Sequence, residues 1–357
     1  MDIIEFNNEK KYINDFLSLP KKLYKKEYNI EDKNDVKKLL LGTHRLNKYF
    51  KLLKYLVYKD KEVVGRFCLT LYPDDDTLYL GFFECINDNS VAKKIFDYAY
   101  SKAKELKKDK LVGPVDGSFW NKYRLKINKF DSLPYTTEPY NKEYYYDMFL
   151  DNGYNVIKCY VSNKYNEIKE DYNNSKFVQH YNSFLEKGYR IESLNKNEYD
   201  EKIKDLYYLL TELYSDFPVY KNIELEDFCS IFSSYKQVLN ENMVHLAYYD
   251  NKLVGFLICV PNYHNLVYHT SNIFNILKIL KIRKNPKEYV APYLGVDKKH
   301  QGLGKAISWS IAEELKKNKA TCISALIKEE NINSKYAEDI IDDVYKYVLL
   351  ERKVKWI

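Results

Sequence analysis

No stretch of the 357-residue sequence approaches the ~18 to 20 consecutive apolar residues of a membrane-spanning helix. The opening Met1-Asp-Ile-Ile-Glu-Phe lacks the basic region followed by an apolar region that marks a secretory leader. A soluble, cytoplasmic protein with no membrane partner is therefore expected. None of the six cysteines (Cys68, Cys85, Cys159, Cys229, Cys259, Cys322) stands at C-x-x-C spacing, and several lie inside apolar runs. That pattern argues for buried free thiols and against disulfides or zinc, so no metal is expected. Charge of one sign is scarce too. The excess of 57 basic over 51 acidic residues is spread along the chain and reads as solvated surface, with no nucleic-acid partner implied.

What is present is enough apolar material, 45% of residues, to fill one or two cores. The length favours two domains. The 37 tyrosines, with many Lys, Asn and Ile, fit compositional bias better than a base-stacking platform.

The chain also repeats itself. Leu56-Val-Tyr-Lys-Asp60-Lys-Glu-Val-Val64-Gly65 aligns without a gap on Leu246-Ala-Tyr-Tyr-Asp250-Asn-Lys-Leu-Val254-Gly255, at an offset of 190. Each reads as strand, Asp-centred tight turn, strand. Tyr79-Leu-Gly81 then matches Tyr293-Leu-Gly295 at an offset of 214, which also sets Ala92 against Ala306. The extra residues of the second half fall around Asn272 to Lys281, with apolar positions at helical spacing.

The second half is read as strand 189–194, helices 200–214 and 224–239, hairpin 244–248 and 253–260, and strand 289–296. Helix 304–317, strand 321–327, a short helix 334–341 and a last strand 347–354 follow. The first half runs in parallel as hairpin 55–71, strand 78–85, helix 90–106 and strand 110–115. Polar residues 163–175 are the linker candidate. Two domains are expected, 1–165 and 176–357.

The most informative segment is Val290-Ala-Pro-Tyr-Leu-Gly-Val296-Asp-Lys-Lys-His-Gln301-Gly-Leu-Gly304-Lys-Ala306. A strand ends, a basic turn follows and a helix opens. Gly302 and Gly304 let backbone N–H groups approach an anion, and the helix N-terminus adds unpaired donors and a positive dipole end. Lys298, Lys299 and Lys305 supply charge of the right sign. These residues describe a phosphate or pyrophosphate site; the plain alternative is a glycine-containing turn that binds nothing. The Gly-Lys-Ser/Thr ending of a P-loop and the three glycines of a dinucleotide fingerprint are both missing.

Gln301-Gly-Leu-Gly304-Lys-Ala306 resembles the Q/R-x-x-G-x-G/A motif of the GNAT N-acetyltransferase superfamily, preceded, as in that family, by a strand ending in Val. Ala325-Leu-Ile-Lys-Glu-Glu-Asn331-Ile-Asn-Ser334 is similar to the family's next strand and its Asn-x-x-Ala/Ser helix start. The resemblance covers about 170 residues. It implies an α/β fold with two tandem GNAT-like domains, each a mixed, mostly antiparallel sheet flanked by helices. Acetyl-CoA is implied as co-substrate and a primary amine as acceptor, with direct attack on the thioester and no acyl-enzyme. Leu294, Gly295 and Val296 would serve the thioester carbonyl and pantetheine, Gln301, Gly302, Leu303, Gly304, Lys305 and Ala306 the pyrophosphate, and Asn331 the pantetheine arm. Pro292 would remove one ladder bond where the strand splays.

For catalysis the candidates are Glu329 as base and Tyr336 as acid. The family's tyrosine, seven residues after the Asn, is here Glu338. Glu288 lies too far down its strand for direct proton transfer. The first half has Asn87-Asp-Asn-Ser-Val-Ala92 at the loop position and no glycines, so it reads as a degenerate copy that binds no CoA and shapes the acceptor pocket or holds the pair together. A monomer or homodimer is expected. Two other readings stay open, a peptidoglycan-type aminoacyl transferase using aminoacyl-tRNA and a non-catalytic CoA-binding protein.

Overall fold

Asp60 and Lys61 adopt left-handed backbone (φ 51° and 68°), and so do Asp250 and Asn251 (φ 48° and 60°). These are the two-residue turns whose twist suits an antiparallel hairpin. A computed structural model of the chain, describing residues 1–233 and 235–356, builds one compact unit around each.

In chain order, β1 (Asp2–Phe6), α1 (Lys10–Leu23) and α2 (Lys33–Leu41) precede β2 (Lys51–Lys59), β3 (Glu62–Leu71) and β4 (Thr77–Cys85). Next come α3 (Asn89–Glu105), β5 (Lys110–Gly113), the short β6 (Val115–Asp116), β7 (Lys122–Tyr123) and β8 (Leu125–Lys126), then α4 (Tyr145–Asp151) and β9 (Asn155–Tyr165). The chain continues through α5 (Ser175–Glu186), β10 (Arg190–Ser193), α6 (Tyr199–Tyr214), α7 (Leu225–Phe232), α8 (Tyr235–Val238), β11 (Val244–Tyr249) and β12 (Lys252–Pro261). It ends with α9 (Ile273–Lys284), β13 (Glu288–Val296), α10 (Leu303–Asn318), β14 (Thr321–Lys328) and β15 (Ile341–Lys353).

The first unit takes Met1–Pro134, Pro139–Cys159 and the residues from Lys346 on. Its strands lie in the order β1-β2-β3-β4-β5, and Leu350 to Lys353 of β15 pair antiparallel with β5. Among the described residues of this sheet, β4 and β5 are the pair shown to run parallel. The core packs Ile95, Phe96 and Ala99 of α3 on Tyr55, Phe67 and Leu80.

The second unit takes Tyr135–Glu138 and Tyr160–Tyr345. Residues 160–165 of β9 open its sheet, followed by β14, β13, β12, β11 and β10, with β13 and β14 the one parallel pair among the described residues of this unit. Leu303, Ile307 and Ile311 of α10 and Phe184 of α5 pack on Val254, Leu257 and Cys259. The opposite face, through Ile258 and Tyr293, meets Leu206 of α6 and Phe228 of α7. Each unit is thus a mixed, largely antiparallel sheet flanked by helices.

Both hairpins carry the same register slip, between Val57 and Tyr58 and between Ala247 and Tyr248, so the offset of 190 is a structural one. The offset of 214 holds for the helices, whose N-caps are Asp88 and Gly302. It does not hold for the strands before them. Thr77 pairs with Lys110 as Glu288 pairs with Thr321, an offset of 211 on both strands. Gly295 therefore corresponds to Glu84, and Gly81 to Pro292. The Tyr-Leu-Gly match was a similarity of letters; the ladder's hydrogen bonds set the true register. The three residues gained by the second half lie in the loop before α10.

Two further differences from the sequence reading are local. Residues 163–165 belong to β9, paired with β14, and only the residues after Tyr165 form a connection. The expected helix 334–341 is two 3₁₀ turns, Ile332–Lys335 and Glu338–Ile340, separated by Ala337 in left-handed backbone (φ 50°), which no continuous helix tolerates.

Candidate functional site

The parallel ladder between β13 and β14 ends at Ala291 and Ser324. Beyond that pair β13 stays with β12 as far as Val296, while β14 bends toward β9 through an irregularity between Ser324 and Ile327. Leu326 is left-handed there (φ 59°) and donates its N–H to Ser162 Oγ at 2.8 Å. The strands part, and a gap opens between them.

Asp297 N donates toward β12, to Val254 O at 2.9 Å. Successive N–H groups of a strand point to opposite edges, so those of Val296 and Leu294 face the gap; Pro292, within the irregularity between Tyr293 and Val290, has no N–H for either neighbour.

The gap leads to the first turn of α10. Gly302 is left-handed (φ 93°) and caps the helix without a side chain. A Cβ at Gly302 would stand 2.9 Å from the His180 ring, so only glycine fits. His300 N and Leu303 N bond within the loop, to Asp297 O and His300 O. Among the described residues no acceptor meets the N–H groups of Gln301, Gly302 and Gly304. The loop is held from behind by Tyr189, whose hydroxyl lies 2.6 Å from His300 Nδ1 and whose ring stacks on Tyr249. Of the loop lysines, Lys298 is drawn to Asp216 at 3.4 Å.

His180, on α5, is a residue that sequence reasoning missed. Burial, then the neighbouring positive charges of Lys305 and Lys187, hold its imidazole below the ordinary value. An anion seated on this loop would oppose those charges and raise the imidazole's pKa, so binding would take up a proton. Affinity for a phosphate-bearing ligand should therefore rise as pH falls through the bound-state pKa and level off below the free-state one. Calorimetry between about pH 8 and 5 checks this against the ordinary histidine pKa near 6.5, and His180→Gln should flatten the slope.

Tyr336 is close to the loop. A Cβ on Gly304 would lie 3.3 Å from its hydroxyl and 3.7 Å from Val296 Cγ2, so the phenol points to where the end of β13 meets α10. Its ring meets Phe177 edge-on, and its carbonyl accepts from Tyr165 Oη at 3.0 Å. Burial pushes its hydroxyl up to about 12.

Glu329 is exposed in the turn after β14, and its carbonyl accepts from Ser334 Oγ. Asn331 is exposed too; its Oδ1 caps the next turn through Asn333 N at 3.1 Å. Glu288 lies at the closed end of the ladder, 3.4 Å from Lys164. On the other face of the sheet, Leu206, Phe228, Phe232, Val244, Ile258 and Tyr293 line a small apolar cavity of about 30 Å³. Tyr293 belongs to the stretch of β13 that borders the gap.

The corresponding place in the first unit is filled. Beyond Tyr79 and Val112 the parallel ladder ends there as well. Phe82 N donates to Asp116 Oδ1 at 2.5 Å, and Cys85 N to Tyr145 Oη at 2.9 Å. Gly81 lies so close to the next segment that a Cβ would fall 1.8 Å from Val115 O. Glu84, at the place of Gly295, accepts from Tyr24 at 2.9 Å and Tyr145 at 2.7 Å, with the buried Arg66 at 3.9 Å. Burial raises its carboxyl above the usual range, against the lowering pull of Arg66 and of Tyr145's hydroxyl.

No protein-family model matches the sequence, and no curated protein matches it either. Solved structures do match. A tandem GNAT protein from the clavulanic acid biosynthesis pathway, solved without AcCoA, superposes with a TM-score of 0.55 at 10% identity, covering 100% of this chain and 99% of that one. A GCN5-related glucosamine N-acetyltransferase region of a fungal multi-domain GH3 β-N-acetylglucosaminidase gives a TM-score of 0.55 at 11% identity, over 98% of this chain and 38% of that one. A GCN5-related N-acetyltransferase from Anabaena variabilis ATCC 29413 gives 0.51 at 7% identity, over 99% and 73%. At these identities the likeness is one of fold, and along its whole length the chain has the tandem GNAT fold.

Proposed function

We propose that the protein is an acyltransferase that moves an acetyl group from acetyl-CoA to a primary amine, with the second unit as its working half. The observation that carries this reading is the unpaired gap between β13 and β14, which ends on the donor-rich first turn of α10. Bound acetyl-CoA would supply an activated acyl thioester. The chain's part is to hold it and to move protons. The N–H groups of Gln301, Gly302 and Gly304, with Lys305, Leu303 and Ala306 shaping the turn, suit a pyrophosphate. Along the gap the N–H groups of Leu294 and Val296, with Gly295 between them, suit the pantetheine amide and the carbonyl oxygen that gains charge as nitrogen attacks. Asn331 keeps its Nδ2 for the pantetheine arm.

As the C–N bond forms and the C–S bond breaks, the amine gives up protons and the sulfur takes one. Glu329 is the proposed acceptor of the amine's proton. Tyr336 is the proposed donor to sulfur, and with its hydroxyl pushed up to about 12 it keeps its proton at neutral pH. The first copy, with its gap filled by its own chain, is proposed to bind no CoA.

Thiol release from acetyl-CoA over a panel of primary amines tests the reading; no turnover, with CoA still bound, would leave a binding protein. Glu329→Gln and Tyr336→Phe separate the roles. Each should lower kcat by ~10²- to 10⁴-fold with CoA affinity unchanged. Because the Tyr336 hydroxyl lies beside Gly304, a rise in KM for acetyl-CoA with kcat unchanged would reassign it to phosphate binding. Turnover of Glu329→Gln within about threefold of wild type would remove Glu329 as base.

A further inference from the structure

Helix α9, in the segment that the second unit has gained between β12 and β13, is not explained by acyl transfer. Ile273, Ile276, Leu277 and Leu280 stand at i, i+3, i+4 and i+7, on one stripe of the helix, with Phe274 beside them. All five are exposed, Phe274 at 69% and Ile273 at 59%. The opposite stripe, Asn275, Ile279 and Ile282, turns inward, and Asn275 is tied to His269 O at 2.9 Å. The inward stripe accounts for how the helix is held, and the outward stripe has no cover among the described residues. An apolar patch so concentrated on an outer face marks an interaction surface.

Charge identifies what it fits. From Asn251 to Lys287 there is no Asp or Glu, while Lys278, Lys281, Arg283 and Lys284 lie on the helix itself, all exposed, and Lys287 follows it. Lys281 and Lys284 border the apolar stripe toward the C-terminal end, with Arg283 and Lys278 on its two flanks. We infer that α9 lies in the interface of an anionic lipid surface, its aliphatic stripe sunk among acyl chains and its cations on the lipid headgroups. An apolar face rimmed by cations, in a run of chain without Asp or Glu, complements that surface on both counts. No described helix is long and apolar enough to cross a membrane. A helix lying in the plane of the interface needs no such length.

The test is flotation of the full chain with vesicles, one set of phosphatidylcholine alone and one with a third phosphatidylglycerol. Binding is expected to the anionic set only, and to fall as salt is raised to ~0.5 M. Phe274→Ser with Leu277→Ser should weaken it at least tenfold, and so should Lys278→Glu with Lys281→Glu. These side chains are exposed, so thermal melting should not change, and Phe274→Trp should show a blue-shifted emission on anionic vesicles alone. Failure to float with either set overturns the inference, as does equal binding to both. A dimer that Phe274→Ser and Leu277→Ser dissociate, in a chain that binds no vesicles, would assign the face to a second copy instead. Flotation involves no acyl transfer, so its result is separate from that of the amine panel.

Discussion

Gly304→Asp should weaken CoA binding by at least a hundredfold, with the fold retained. The substitution sets a carboxylate on the first turn of α10, beside the N–H groups of Gln301, Gly302 and Gly304 that have no acceptor among the described residues. An added negative charge about 4 Å from a phosphate costs about 4 kcal/mol at the effective dielectric of a protein surface, or roughly a thousandfold in affinity. Space is the smaller matter. The new Cβ would lie 3.3 Å from the Tyr336 hydroxyl, at the end of a side chain, so Gly304→Ala isolates the steric part and should cost far less. Ser90→Asp places the same charge at the start of α3 in the first unit and should leave affinity unaltered, because the gap there is filled by Asp116, Val115 and Tyr145. Calorimetry should count one CoA per chain. Two equal sites, or unchanged binding by Gly304→Asp, would overturn the assignment of the working half.

Gly81→Ala is expected to be the most damaging single methyl in the first unit. Its Cβ would fall 1.8 Å from Val115 O, and that oxygen is backbone, held where β6 passes β4. Neither strand can withdraw without losing the bond from Phe82 N to Asp116. A cost above about 4 kcal/mol follows, the range reserved for clashes with no route of escape. In a melt this lowers the first unit's transition by on the order of 10 °C. Gly42→Ala is the contrast. It has open space and a φ of 74°, so only the backbone penalty of ~1–2 kcal/mol applies. A Gly81→Ala variant that melts with wild type would mean that the crossing of β6 over β4 is not as close as described.

Much of this was legible in the order of residues. The Asp-centred turns at 60 and 250, the strand ending at Val296, the glycine turn and the apolar face of α10 are each written in neighbouring residues. Turn geometry, strand alternation and helix periodicity act over a few positions, so a reader of sequence recovers them. Pro292 carries its own signal in the same way, because its missing N–H belongs to that residue alone. Repeat register was harder. Tyr79-Leu-Gly81 and Tyr293-Leu-Gly295 look alike as letters, yet the ladders relate the strands by 211 and the helices by 214.

By itself, then, the sequence determined the elements, their repetition and the chemistry of one loop. Tertiary structure decided where the ladders end and what lies in the space they leave. In the second unit the packing of α5 against α10 brings His180 to Gly302, and the segment after β14 brings Tyr336 to Gly304. In the first unit the space beyond the ladder is closed by Val115, Asp116 and Tyr145. Tertiary structure also decided that the last residues of the chain complete the first unit's sheet, against β5. These outcomes rest on hydrogen bonds and contacts between segments far apart in the chain. Such contacts are selected by the space and the unmet donors that the other segments leave, so no local pattern records them.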